Sequence, residues 1–125
     1  MRIIKVKIRS IIENIDTKEK NVYNLEGIKQ DNRIVYYDKE YKNTILLDTE
    51  VKLIRENTES RYTLIFDKNK SISIKYELKK YNTFLNIGIT TNEIYLNDNS
   101  LKVNYIQKIE GQITNYNYNL EWEEI

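Results

Sequence analysis

In Ser71-Ile-Ser-Ile-Lys-Tyr-Glu-Leu-Lys79, the apolar residues Ile72, Ile74, Tyr76 and Leu78 occupy every second position. Successive side chains of a strand point to opposite faces, so this period of two describes a strand wet on one side only. The pattern recurs along the chain. Ile4, Val6, Ile8 and Ile12 oppose Lys5, Lys7 and Arg9, and Leu101, Val103 and Tyr105 oppose Lys102 and Asn104. Near the end, Thr114, Tyr116, Tyr118, Leu120 and Trp122 oppose Asn115, Asn117, Asn119, Glu121 and Glu123. Ile, Val, Thr, Tyr, Phe and Trp supply 48 of 125 residues, while Ala, the best helix former, is absent. A sheet with no helix to cover it must bury one face on itself, as a closed barrel or a sandwich.

Turn-forming clusters at Gln30–Arg33, Glu56–Glu59, Asp67–Lys70, Leu96–Ser100 and Glu110-Gly111 separate the apolar runs. They predict strands near 2–13, 21–29, 33–41, 43–48, 50–56, 61–67, 71–79, 83–91, 93–97, 101–109 and 112–123. Thr44 to Arg55 approaches helical spacing, but Val51-Lys-Leu-Ile-Arg55 reads as extended, and two strands are the better reading. Gly88 is expected to mark a bulge or a barrel bend. No linker, repeat or low-complexity segment divides the chain, so residues 1–125 form one domain.

Composition narrows the chemistry. Without Cys there is no disulfide and no thiolate, and without His there is no imidazole base and no ordinary zinc site. Asp67-Lys-Asn-Lys-Ser71 opens like a calcium loop, yet Ile72 stands where the loop needs Gly and Leu78 where it needs Glu. The three glycines make no phosphate loop, and Glu121, Glu123 and Glu124 lie near the C-terminus and form no catalytic carboxylate pair. The expectation is a non-enzyme with no cofactor and no metal. Twenty basic and 19 acidic residues balance, which argues against nucleic acid and against membrane surfaces as partners. Lys and Asn are abundant as AT-rich codon usage makes them, and their clusters are no evidence of binding patches. With neither an export signal nor Cys, the chain is expected in the cytoplasm.

Arg55 shares strand parity with Val51 and Leu53, so it should point inward. A guanidinium cannot shed its charge and needs acceptors wherever it is buried. Glu40 is the candidate partner. Two readings stand side by side: an anchor for a ligand carboxylate or phosphate at a barrel mouth, or an ion pair at a strand end that serves the fold. Phe66, Tyr76, Tyr105 and Trp122 fall on inward parity and are the expected walls of an interior site.

Glu26-Gly27, Tyr36-Tyr37, Glu40, Val51-Lys-Leu-Ile-Arg55, Phe66, Tyr76, Thr90-Thr91 and Tyr105 are spaced so that the chain, from about Glu26 to Trp122, resembles the YwiB-like family. These are small bacterial proteins of unassigned function. The resemblance implies a lipocalin-like (calycin-type) barrel. Where that family tends to show a Thr-Pro-x-Gly turn, this chain has Leu78-Lys-Lys-Tyr-Asn82, and Asn82 can take the left-handed position of the Gly. The chain is therefore expected to be an all-β, single-domain antiparallel β-barrel with mostly up-and-down connections. Its expected function is to hold a small, partly apolar ligand, anionic where Arg55 is the anchor, by Glu40, Arg55, Phe66, Tyr76, Tyr105 and Trp122. The alternative is a filled barrel that meets a protein partner.

Overall fold

The computed structural model describes residues 2–125. Its strands are β1 (Ile3–Asn14), β2 (Lys20–Gln30), β3 (Arg33–Tyr37), β4 (Lys42–Leu47), β5 (Val51–Glu56), β6 (Ser60–Phe66), β7 (Ser71–Leu78), β8 (Thr83–Leu96), β9 (Ser100–Ile109) and β10 (Gln112–Glu124). Each is antiparallel to the next in sequence, and β1 pairs with β10 to close an up-and-down barrel. A single 3-10 turn, Lys79–Tyr81, joins β7 to β8. Among the described residues no helix is long and apolar enough to cross a membrane.

Short polar side chains build the turns. Oδ1 of Asn14 accepts from the amides of Asp16 and Thr17, that of Asp38 from Glu40 and Tyr41, and that of Asn57 from Glu59 and Ser60. Each side chain mimics a backbone carbonyl and turns the chain back on itself. Glu110 and Gly111, at φ 48° and 83°, form the two-residue link between β9 and β10. Asn82 takes the left-handed conformation expected of it, at φ 47° and ψ 46°.

Three boundaries differ from expectation, or decide it. Strand β3 stops at Tyr37, because Asp38 starts a turn where residues 38–41 were expected to be extended. Segments 83–91 and 93–97 are one strand with a bulge, since pairing steps from Thr91↔Tyr105 to Glu93↔Asn104. Asn92 is the extra residue, and its amide donates to Asn104 Oδ1 at 2.9 Å. Gly88, by contrast, stands in unbroken register with Ser73 and Lys108. Thr44 to Arg55 forms the two strands β4 and β5.

The two ends of the barrel differ. Val6, Ile34, Ile45, Phe66, Leu101 and Leu120 are fully buried and fill the end that carries turns 30–33, 47–51, 66–71 and 96–100. The other end carries turns 14–20, 37–42, 56–60, 78–83 and 109–112, and there the interior opens. The ring also has a weak seam. Strands β6 and β7 pair only at Ser60↔Leu78 and Arg61↔Glu77, then diverge. Beyond that, loop 67–70 folds onto β8 instead, with the Asn69 amide donating to the Thr91 carbonyl at 3.0 Å.

Gly27 shows how tightly the packed wall is built. A Cβ there would lie 2.5 Å from Ile8 Cδ1 and 2.7 Å from the Val35 carbonyl oxygen. The carbonyl belongs to a ladder and cannot swing away. Gly27→Ala should therefore destabilise the barrel by ~1–3 kcal/mol, as overpacking does. Gly88→Ala should cost less, because its Cβ would come no nearer than 3.7 Å to Lys108. Urea denaturation of both variants checks this, and equal midpoints would contradict the packing argument.

Candidate functional site

Arg55 lies on the inward parity of β5, with its side chain 16% exposed. Every nitrogen of its guanidinium is engaged. Nε donates to Asn43 Oδ1 at 3.0 Å, Nη1 to the Tyr62 hydroxyl at 3.0 Å and Nη2 to Asp38 Oδ2 at 3.2 Å. The ring of Tyr41 lies over the guanidinium carbon at 4.3 Å. Asp38 is the hub, with its side chain only 3% exposed. Its Oδ1 makes the 38–41 turn, while its Oδ2 also accepts from the Asn43 amide at 3.0 Å.

Electrostatics follow from this geometry. Burial pushes the Asp38 carboxyl up. Hydrogen bonds from Asn43 and from the Glu40 and Tyr41 amides, together with the Arg55 charge, outweigh burial and hold it below its ordinary value. Burial likewise opposes the charge on Arg55, but Tyr62 and Asp38 leave it more firmly protonated than a free guanidinium. Burial raises the Tyr62 hydroxyl to about 12 against the pull of Arg55.

Above this cluster the open end of the barrel encloses a cavity of about 490 Å3. Leu53, Leu64, Leu78, Leu85, Ile87 and Ile109 give it apolar walls. Aromatic rings line the rest. Tyr62 and Tyr76 stack with centroids 4.7 Å apart, and Tyr105 and Tyr116 stack at 5.4 Å. At its inner side the Tyr118 hydroxyl is 2.8 Å from that of Tyr36, which is 3.2 Å from Ser10 Oγ. Burial raises the hydroxyls of Tyr36, Tyr105 and Tyr118, so all three stay protonated near neutral pH. Among the described residues no group of three or more Asp or Glu side chains could hold a metal ion.

Of the six residues expected to make the site, Arg55, Tyr76 and Tyr105 line the cavity together. The other three do not. Glu40 is exposed on the 38–41 turn, where its amide caps Asp38, and the carboxylate at Arg55 is that of Asp38. Phe66 is 1% exposed and packs behind the cavity, against Tyr105 at 5.0 Å between centroids. Trp122 is buried beside Ile8 in the filled end. Sequence reasoning missed Asp38, Asn43, Tyr41 and Tyr62. Tyr62 did carry a signal, because it shares parity with Leu64 and Phe66. So did Asp38, as a turn-forming residue directly after an apolar run.

No family model matches the chain, and no curated protein does. Among solved structures it is similar to the crystal structure of the ywiB protein from Bacillus subtilis. The TM-score is 0.70 at 17% identity, over 98% of this chain and 92% of that one. The likeness shows the fold.

Removing one partner of a buried ion pair leaves the other uncompensated, at ~3–5 kcal/mol. Asp38→Asn should therefore destabilise strongly, whereas Glu40→Gln should change stability by less than ~0.5 kcal/mol, as surface substitutions do. Thermal melts of the two variants decide between them, and a larger loss in Glu40→Gln would refute the pairing. A second expectation concerns acid. The Asp38 carboxyl is held low in the folded state, so its stabilising effect is present above the unfolded value of about 3.9. It is lost as pH falls through the lowered folded value. Wild type should lose stability over that acid window more steeply than Asp38→Asn, measured as urea midpoints against pH.

Proposed function

We propose that this chain is a non-catalytic relative of the YwiB-like, lipocalin-like barrels that holds a small, partly apolar molecule in the open end. The cavity carries the reading. Its volume of about 490 Å3 lies within the range of small-molecule sites, and its walls are apolar and aromatic with few polar groups. The non-catalytic part is supported by protonation states. The buried tyrosine hydroxyls are raised, Arg55 cannot give up a proton, and both Asp38 oxygens already accept hydrogen bonds. None of these groups is poised to move a proton near neutral pH.

A second reading, a structural barrel that meets a protein partner, is favoured by one observation. Arg55 is already neutralised by Asp38, which is the arrangement a purely structural pair would have. Filling the cavity separates the two. Nile red, an uncharged and partly apolar fluorophore, should bind wild type with one-to-one stoichiometry. Leu85→Trp places a large ring from the half-buried wall into the cavity and should weaken that binding about tenfold or more. Absence of binding in wild type, or binding indifferent to Leu85→Trp, would favour the structural barrel.

A further inference from the structure

The polar groups of the cavity divide into those already paired and those left over. Arg55 uses three of its five N–H donors on Asn43, Tyr62 and Asp38, and Tyr41 covers one of its faces. Tyr118 and Tyr36 satisfy each other. Tyr105 differs. It is 5% exposed, lines the cavity, and among the described residues its hydroxyl has no hydrogen-bond partner. That oxygen is also not sealed from the cavity space, for Thr91 Oγ1 is the buried polar side-chain atom left without a partner among the described residues. Gln107, two residues along on the same inward parity of β9, brings a half-buried amide to the same wall. A hydroxyl that opens on the cavity without a protein partner is a donor that a bound acceptor can take.

We infer that the cavity takes an uncharged, flat-ringed molecule carrying a hydrogen-bond acceptor, met by Tyr105 and Gln107 and not by Arg55. This rests on the binding reading above. A ligand carboxylate entering beside Arg55 would meet a pair of zero net charge and would lie against the Asp38 carboxylate. Its own desolvation would go uncompensated. A neutral ring meets no such opposition. The stacked pairs Tyr62–Tyr76 and Tyr105–Tyr116 offer it flat walls, where offset or edge contacts between rings are favourable.

The test compares two probes of the same shape, 2-naphthamide and 2-naphthoate, by isothermal titration calorimetry with wild type, Tyr105→Phe and Gln107→Met. The amide should bind at least about tenfold tighter than the carboxylate. Tyr105→Phe and Gln107→Met should each weaken the amide about three- to tenfold, the worth of one neutral hydrogen bond. A carboxylate that binds as tightly as the amide or tighter overturns the inference and leaves the binding barrel standing. An amide indifferent to both Tyr105→Phe and Gln107→Met does the same. If neither probe binds while Nile red does, the inference falls alone. If Nile red also fails, both readings fall together.

Discussion

A guanidinium inside a barrel cannot be neutralised by losing its proton, so the chain around it has to supply acceptors. Much of the open end can be traced to that requirement at Arg55. Asp38 must leave the β3 ladder to reach it, which is why the strand ends and a turn begins. Asn43 must face inward on β4, where its Nδ2 donates to Asp38 Oδ2 and its Oδ1 accepts from Arg55 Nε. Tyr62 must present its hydroxyl from β6. Two strands and one turn are thus bound to a single cation on β5.

The two halves of the interior follow from how those side chains find partners. In the filled half, Val6, Ile34, Ile45, Leu101 and Leu120 are buried together with Phe66 and Trp122. In the open half, Tyr62 stacks on Tyr76 and Tyr105 on Tyr116 along the wall, while Tyr118 reaches Tyr36 at the inner side of the cavity. Rings that stack sideways cover the wall and leave space beside them.

Strand parity in the sequence is enough to tell inside from outside, and the inward set from Val6 to Trp122 is buried as the alternation implies. Parity carries no information about height along the barrel axis. That is why Phe66 and Trp122, correctly inward, belong to the filled end, while Arg55, Tyr76 and Tyr105 reach the cavity. The choice of Glu40 over Asp38 has a different cause. Reading residues 33–41 as one extended strand hid the turn, and only the turn brings Asp38 back over β5. The bulge at Asn92 was partly legible, since the apolar positions change from odd at Ile87 and Ile89 to even at Ile94 and Leu96. A parity switch inside one run looks the same as two short strands until the partner strand is known.

The seam between β6 and β7 gives the barrel the mechanics of a split ring. In a ring with a continuous ladder, any increase in circumference is opposed by every hydrogen bond along the joint being stretched. Here the joint is held by two residue pairs next to the mouth, Ser60↔Leu78 and Arg61↔Glu77, beside the cavity-lining Tyr62, Tyr76 and Leu78. Small changes of twist in the flanking strands can widen the bore while the other ladders stay intact. Hoop stiffness is therefore lowest just inside those two pairs, where β6 and β7 run on without a ladder towards the filled end.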